Sequence, residues 1–219
     1  MRRIGTLEIV VFLSLLALIL LLGIGSAAWL AGMLTLGQWR PIALLAAAVM
    51  LTYLCAFAVY RLALRVWPLA EGSAAPGSRA AFAANLNILF YLLLFNSLIR
   101  THFLPLPLLR LVYLALGARL GENTYSAGAL LDPPLTTIGS NTIVGHDAVV
   151  FAHVIEGERL ELQRVWIGSG VTIGAHAVIM AGARIGDGAI ISVGAVLTKG
   201  SVVGPGEVWG GIPARRLKG

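Results

Sequence analysis

The second half of the chain carries an aliphatic residue at every sixth position. Seven such residues hold the spacing without a slip: Ile167, Ile173, Ile179, Ile185, Ile191, Leu197 and Val203. A fixed short period is the signature of a solenoid, in which each coil contacts only its neighbours. Any fold of this chain therefore has to stack these residues on one another.

Six residues suit one flat face of a triangular coil, and three faces complete a turn. The aliphatic residue of each unit then points inward, and small residues occupy the corners. Gly168, Gly174 and Gly186 follow their aliphatic residues at such corners. We expect glycine there because it tolerates φ values that other residues avoid. The pattern predicts a parallel β-helix.

The period extends upstream and breaks once. Ile138, Val144 and Val150 begin three earlier units, and Leu120 lies one full coil before Ile138. The step from Val150 to Ile167 is seventeen residues, so the register is lost there. The interval holds the charge-rich stretch 156–164. It predicts a loop that leaves the solenoid, and such loops tend to carry function.

The first half of the chain is apolar enough to enter a membrane. Residues 8–34 contain no charge after Glu8, and residues 41–60 form a second uncharged run. Each exceeds the roughly 20 residues that span a bilayer. The first run is too long for a signal peptide, and a second follows closely. Residues 1–68 are therefore predicted to form a two-helix transmembrane hairpin.

The arginines indicate its orientation. Arg2 and Arg3 precede the first run, Arg61 and Arg65 follow the second, and Arg40 lies between them. The positive-inside rule then puts both ends of the hairpin in the cytoplasm. We expect a multi-pass protein of the cytoplasmic (inner) membrane with its solenoid in the cytoplasm.

The net charge of +6 is divided unevenly. Residues 1–119 carry +7, whereas residues 120–219 carry −1. The excess of positive charge lies beside the apolar runs and not on the solenoid. It therefore indicates a membrane surface, and no nucleic-acid partner is expected.

Residues 69–113 are predicted to be a linker followed by helices at the membrane interface. The apolar stretch 80–116 is interrupted by polar residues, namely Asn85, Asn87, Asn96, Arg100 and His102. Polar groups are costly in hydrocarbon, which disfavours a third span. Such a span would also move the solenoid across the membrane. In the interface, Arg100, Arg110 and Arg119 would face lipid headgroups.

The repeats and the ending Val208-Trp-Gly-Gly-Ile-Pro-Ala-Arg-Arg216 resemble the hexapeptide-repeat acyltransferases. The resemblance covers about residues 114–216. It implies a left-handed β-helix over residues 114–219, although β-crossovers are usually right-handed. The fold class is thus α plus β-solenoid, with transmembrane helices followed by a left-handed parallel β-helix. The chain is also similar to the C-terminal repeats of membrane-bound polylysine-type peptide synthetases.

The first resemblance implies an acetyl-CoA-dependent acyltransferase, a homotrimer that modifies a membrane-associated or saccharide acceptor. The second implies amide-bond formation from aminoacyl thioesters held on a carrier protein. A non-catalytic membrane scaffold is the third alternative. The membrane anchor favours an acceptor in the bilayer, because a soluble acceptor would not require one.

The family uses a histidine as general base, and an imidazole suits this role because its pKa lies close to working pH. His153 directly precedes the predicted loop and is our candidate. His146, followed by Asp147, is the second candidate for the base and would otherwise contact substrate. His176 fits an exposed position of a coil, and His102 fits a contact with lipid or backbone.

A general base needs an orienting partner. Glu156 is the carboxylate nearest to His153 in the loop and is the candidate; Asp147 and Asp132 are alternatives. Charged loop residues are usually only solvated. Asp132 also begins an Asp-Pro-Pro sequence that is typical of a turn starting the solenoid.

The resemblance places coenzyme A along an outer edge of the prism. Small residues would leave backbone groups open to pantetheine, and cations would meet the phosphates. The cofactor candidates are Ala181, Gly182, Val193, Gly194, Lys199, Pro213 and Arg215. No metal site is predicted, because the sequence has no zinc motif and Cys55 is its only cysteine.

Overall fold

The structure is a computed structural model that describes residues 4–33, 37–101 and 103–219. Arg2, Arg3 and His102 lie outside these residues. The helices are α1 Thr6–Met33, α2 Arg40–Val66, α3 Arg79–Phe90, α4 Asn96–Arg100 and α5 Leu106–Ala115. Short 3₁₀ helices occupy Gly37–Trp39 and Pro133–Leu135, and a π-helical segment, Tyr91–Phe95, joins α3 to α4.

The C-terminal half is a parallel β-helix. The strands are β1 Gly72–Ser73, β2 Arg119–Leu120, β3 Tyr125–Ser126, β4 Ala129–Leu130, β5 Thr136–Ile138, β6 Ile143–Val144, β7 Val149–Val150, β8 His153–Glu156, β9 Arg159–Leu162, β10 Val165–Ile167, β11 Thr172–Ile173, β12 Val178–Ile179, β13 Arg184–Ile185, β14 Ile190–Ile191, β15 Val196–Leu197, β16 Val202–Val203, β17 Val208–Gly211 and β18 Ala214–Lys218. Three sheets form the faces of the prism. The first face is β2-β5-β10-β13-β16, the second is β3-β6-β11-β14-β17 closed by β18, and the third is β4-β7-β12-β15.

The sixth-residue period is the register of this prism. Ile167 pairs with Ile138 on one side and with Ile185 on the other, and Ile185 pairs with Val203. All four side chains are buried. The predicted stacking of aliphatic residues, and with it the parallel β-helix, is confirmed.

The break in the period is an ordered hairpin. Ile138 and Ile167 pair across 29 residues, whereas the neighbouring pairs Leu120–Ile138 and Ile167–Ile185 are 18 apart, so one coil carries 11 extra residues. Strands β8 and β9 pair antiparallel within the insertion. Strand β1 of the linker adds to β9 through Gly72–Leu162 and Ser73–Glu161. The linker before the third helix is therefore fixed to the solenoid.

The corner glycines have a different cause from the one predicted. Gly168, Gly174 and Gly186 do not adopt positive φ. A Cβ atom on Gly186 would lie 2.6 Å from the backbone nitrogen of Pro205 in the next coil, so close approach excludes a side chain. Positive φ occurs two residues later, at Gly170 and Gly188.

Among the described residues, three helices are long and apolar enough to cross a membrane: Thr6–Met33, Gly37–Val66 and Arg79–Arg100. The third lies in the stretch predicted to form helices at the membrane interface, and the π-helical segment joins α3 and α4 into one continuous helix. It packs on the first two through aromatic contacts, with Phe90 at 5.3 Å from Phe12 and Phe95 at 5.1 Å from Phe57 (ring centroids). We call residues 79–100 the third helix.

The polar interruptions of the third helix have partners inside the helical region. Asn87 Oδ1 accepts a hydrogen bond of 2.6 Å from the Tyr60 hydroxyl, and Asn85 Nδ2 donates to Glu8 Oε1 over 2.9 Å. Buried polar groups are normally satisfied in this way. These contacts fix the rotation of the helix, so that Asn96 and Arg100 lie on its side facing the solenoid.

Helix α5 closes the first end of the β-helix. Arg110 was expected to face lipid headgroups, but it donates hydrogen bonds to the carbonyl oxygens of Thr124 (3.1 Å) and Gly121 (3.0 Å). The Tyr113 hydroxyl donates to the Gly128 carbonyl over 2.7 Å. These bonds satisfy backbone acceptors at the open end of the first coil, where no further strand is available to pair with them.

Candidate active site

A histidine and an aspartate form the centre of the site. His153 begins β8, where the hairpin leaves the third face, and Asp132 follows β4 one coil earlier. His153 Nδ1 lies 2.7 Å from Asp132 Oδ2, and the two side chains are 25% and 3% exposed. The imidazole is therefore half-buried, with its inner nitrogen on a buried carboxylate.

Asp132 is held from several directions. Its Oδ2 also accepts the amide N–H of Ala152 over 2.8 Å, and its backbone carbonyl accepts the Thr136 hydroxyl over 3.0 Å. A carboxylate can only accept hydrogen bonds, so the neutral imidazole carries its proton on Nδ1. Nε2 is left with a lone pair, which is the state that a general base requires.

The environment sets the pKa of His153 in two opposing ways. Burial lowers the pKa because it disfavours the charged imidazolium, whereas the hydrogen bond and the negative charge of Asp132 raise it. The effect of Asp132 is the larger, and the pKa lies above the ordinary value for histidine.

The pair opens on a cavity of about 360 Å³, the active-site cavity. The solenoid contributes Leu131, Asp132, His153 and Ile155 to its wall. The opposite wall comes from the third helix, through Asn87, Ile88, Tyr91, Leu92, Asn96 and Arg100. One chain supplies both walls of this cavity.

Glu156, the predicted orienting residue, lies elsewhere. It is exposed at the tip of the hairpin, opposite Arg159 in the β8–β9 ladder. Asp132, which had been kept as an alternative, lies against His153 instead. The Asp-Pro-Pro sequence does form a turn, because a 3₁₀ helix begins at Pro133, but the turn follows the first coil and does not start the solenoid.

The predicted substrate residues lie on another edge of the prism. His146 and Asp147 occupy a corner between the second and third faces, with His146 Nε2 3.3 Å from Asp147 Oδ2. The ring of His176 stands in the next coil, 6.5 Å from that of His146. Asp147 also lines a smaller cavity of about 70 Å³ together with Arg100. His146 therefore does not share the active-site cavity with His153.

The predicted cofactor residues fall into groups. Gly182 follows the buried Ala181 on the hairpin edge, the prism edge between the third and first faces, and donates its amide to Gln163 O over 3.2 Å. Lys199 pairs there with Glu161 of β9. Gly194, by contrast, donates to Ala175 O over 2.9 Å, on the edge that holds His146.

Val193 precedes Gly194 and is 71% exposed on that other edge. Pro213 follows a cis peptide bond, and Arg215 pairs with Gly210 in the C-terminal strand pair. A single chain thus brings only Ala181, Gly182 and Lys199 to the edge from which the hairpin of His153 leaves.

Residues 164–199 match the family model described as bacterial transferase hexapeptide (six repeats). A comparison of the whole sequence with curated proteins gave no match. The matched residues run from the end of the hairpin to Lys199, so they cover the regular coils below His153.

Solved hexapeptide-repeat structures are similar over part of the chain. An acetyltransferase of Vibrio cholerae, complexed with acetyl coenzyme A, is 26% identical over 47% of this chain and 60% of its own, with a TM-score of 0.43. A maltose O-acetyltransferase from Clostridium difficile 630 is 27% identical over 48% and 59%, with a TM-score of 0.43. Soybean serine acetyltransferase, complexed with serine, is 21% identical over 77% and 57%, with a TM-score of 0.40. The chain spans less than two thirds of these relatives.

Sequence reasoning missed the helical wall of the cavity. The sequence pattern marks Asn96 only as an interruption of an apolar run and predicts that Arg100 faces lipid headgroups, but both line this cavity. Tyr91, which also lines it, is indicated by no sequence pattern. Polar residues four apart on one helix face were the available signal. Within residues 4–33, 37–101 and 103–219, no group of three or more His, Cys, Asp or Glu side chains is placed to hold a metal ion.

Proposed function

We propose that this protein is a membrane-anchored acyltransferase that moves an acetyl group from acetyl-CoA to a hydroxyl or amine of a membrane-associated acceptor. His153 is the general base. The observation that carries the proposal is the His153–Asp132 pair, in which Asp132 engages Nδ1 while His153 lines the active-site cavity. The match of residues 164–199 to a transferase repeat supports the reaction class.

The proposed chemistry needs one base and no acyl-enzyme. Nε2 of His153 takes the acceptor's proton as its oxygen or nitrogen attacks the thioester carbonyl. The new ester or amide bond forms, the C–S bond breaks, and the imidazolium returns its proton to the leaving thiolate. Asp132 stabilises the imidazolium between these steps. Cys55 is remote from this chemistry because it lies within α2.

Coenzyme A would follow the hairpin edge, past the partly exposed Gly182 and the buried Ala181. Lys199 would supply a cation there once its ammonium group leaves Glu161 for a phosphate. Val193 and Gly194 belong to another edge and would come from the neighbouring prism of a homotrimer. Pro213 and Arg215, at the C-terminal end, are candidates for the nucleotide.

The outward side chains of the prism support such a trimer. Ile143 and Ile190 on the second face are 58% and 44% exposed, and Trp166 and Val202 on the first face are 40% and 67% exposed beside the cations Arg119 and Arg184. Exposed apolar patches commonly mark protein–protein contacts. Light scattering of the detergent-solubilised protein, corrected for detergent, measures the number of chains. We also propose left-handed coils, the sense that the resemblance implies.

We propose that α1 and α2 cross the membrane and that the third helix lies at its surface. The linker before this helix pairs with the hairpin through Ser73 and Glu161, and Arg100 at its end shares a small cavity with Ala129 and Val149. Both ends of the third helix are thus held by the β-helix domain. This supports a position of the helix at the membrane surface on the side of that domain. The β-helix then stays in the cytoplasm, where inverted inner-membrane vesicles would expose it to added protease.

Acetyl transfer tests the function. Purified protein is incubated with ¹⁴C-acetyl-CoA and an extract of membrane lipids, and labelled product is separated from acetyl-CoA. Wild type and His176→Asn are expected to label a membrane component, and His153→Gln is not. His176 is a suitable control because it has φ near 58°, which asparagine tolerates. Equal labelling by His153→Gln contradicts the mechanism.

Calorimetry with coenzyme A separates the alternatives. An acetyl-CoA-dependent enzyme binds free coenzyme A, whereas a domain that uses carrier-bound aminoacyl thioesters binds it weakly and a scaffold does not bind it. Binding by wild type that is weakened in Lys199→Gln supports the proposed cofactor edge. No detectable heat with coenzyme A contradicts the proposed donor.

A further inference from the structure

The third helix brings a hydroxyl to the active-site cavity that the proposed reaction does not use. Tyr91 is 8% exposed, and within the described part of the chain its hydroxyl makes no hydrogen bond of normal geometry, although the Arg100 guanidinium is close enough to interact with it. A buried polar group without a partner is rare in a folded protein and requires an explanation. Tyr91 begins the π-helical segment, a feature that often occurs at functional sites.

Arg100 supplies a positive charge at the same wall. It lines the active-site cavity together with His153, and its guanidinium acts electrostatically on the Tyr91 hydroxyl. None of the ion pairs within 4.0 Å among the described residues involves Arg100. The carboxylate of Asp132, which also lines the cavity, is already engaged by His153 and by the amide of Ala152. A guanidinium and a hydroxyl therefore remain to bind an anion.

Apart from Asn87 and Asn96, the rest of the cavity lining is apolar, and it reaches the outer surface of the third helix. Ile88, Leu131 and Ile155 line it, as does Leu92, which is 56% exposed. The next residue, Leu93, is 63% exposed on the helix that packs against the two apolar spans. The cavity therefore has an apolar side that opens toward the proposed membrane. Its other side carries the cation Arg100 and the base His153.

We propose that this cavity holds an amphiphilic acceptor, an apolar chain that carries a phosphate or carboxylate close to its nucleophilic hydroxyl or amine. The proposal rests on the acyl transfer proposed above and names the class of its acceptor. The chain enters from the bilayer along Leu92, and Arg100 and Tyr91 bind the anionic group. The nucleophile next to that group then lies at Nε2 of His153.

Native mass spectrometry of the full-length protein in neutral detergent tests this assignment without catalysis. The probe is dodecyl phosphate, compared with neutral 1-dodecylglycerol and with inorganic phosphate. Dodecyl phosphate is expected to bind once per chain and more tightly than either. Arg100→Gln should weaken binding by about tenfold or more, because a charge-assisted hydrogen bond is lost. Tyr91→Phe should weaken it less, and Arg100→Lys should retain most of it.

Arg119→Gln is the matched control, because Arg119 is an exposed cation near the membrane that does not line the cavity. Equal weakening by Arg100→Gln and Arg119→Gln would show general attraction to basic charge and overturn the proposal. Equal affinity for dodecyl phosphate and inorganic phosphate would overturn the apolar route. Unchanged melting temperatures establish that the variants are folded.

The outcome is independent of the proposed reaction. His153→Gln should still bind dodecyl phosphate. Loss of the probe in Arg100→Gln together with full acetyl transfer by His153→Gln would leave the anion site standing and refute the proposed mechanism. Loss of acetyl transfer in His153→Gln with unchanged probe binding in Arg100→Gln would refute the anion site and leave the proposed mechanism standing.

Discussion

His153 Nδ1 lies 2.7 Å from Asp132 Oδ2, although 21 residues separate them in the chain. The register of the solenoid explains the contact. Leu130 pairs with Val150 in neighbouring coils, so the residue two positions after each strand also stacks, and Asp132 lies beside Ala152. His153 follows directly and turns its ring onto the carboxylate. One β-helical register thus produces a histidine–aspartate pair.

Replacing the base is expected to remove most of the activity. Glutamine at position 153 occupies a similar volume but cannot take a proton near neutral pH, so His153→Gln should lower kcat/KM by roughly 10²- to 10⁴-fold. The measurement is the rate of ¹⁴C-acetyl transfer at fixed acceptor extract. His176→Asn should keep the wild-type rate. A His153→Gln rate within twofold of wild type would exclude this role.

Replacing the orienting carboxylate is expected to change the pH dependence. Asp132 raises the pKa of His153, and the base works only when neutral, so activity falls as pH drops through that pKa. In Asp132→Asn the acidic limb of kcat/KM should move to lower pH, because burial then lowers the pKa without opposition. The rate on the plateau should also fall, on the order of 10²-fold. Glu156→Gln should cost less.

The same pair links stability to pH. Since the folded-state pKa of His153 is raised, its stabilising effect is fully present below the unfolded pKa of histidine and is lost as pH rises through the folded pKa. The melting-temperature difference between wild type and Asp132→Asn should therefore be larger at pH 5.5 than at pH 8.5. A difference that grows with rising pH would contradict the pairing.

Substitution of a corner glycine should lower stability according to the space around its Cα atom, and not only according to its φ angle. A Cβ on Gly186 would meet the Pro205 nitrogen at 2.6 Å, whereas Gly188 has φ near +67° and open space around it. Gly186→Ala should lower the free energy of unfolding by about 1–3 kcal/mol, as overpacking does. Gly188→Asn should cost less, since Asn123 and Asn141 adopt the same positive φ in earlier coils. Thermal unfolding of the two variants makes the comparison.

Helix α5 should matter to the stability of the first coil. Arg110→Ala removes two hydrogen bonds to backbone carbonyl groups and is expected to cost about 2–3 kcal/mol. Arg119→Ala, at an exposed cation, should change stability by no more than about 0.5 kcal/mol. Both can be followed by thermal unfolding in one detergent. Equal effects would mean that Arg110 acts only through its charge.

Local patterns predicted the parts of this protein that depend on neighbouring residues. The inward position of Ile167 and Ile185 follows from a fixed period, and the candidacy of His153 follows from its place beside the one break in that period. Proximity in sequence predicted the wrong partner for His153, because its actual partner comes from another coil. Glu156 is three residues from His153, but both lie in one extended strand of the hairpin. The strand holds their side chains too far apart to touch.

The six-residue repeat was sufficient to predict the β-helix and its core, because a repeat of aliphatic side chains can bury them only by stacking. The sequence also determined the two apolar runs of α1 and α2. Tertiary structure alone decided that Asp132 meets His153 and that Tyr91 and Arg100 face them across one cavity. These contacts depend on the extra residues between the strands of particular coils and on the way the third helix packs against the solenoid. Local sequence patterns predict neither of them.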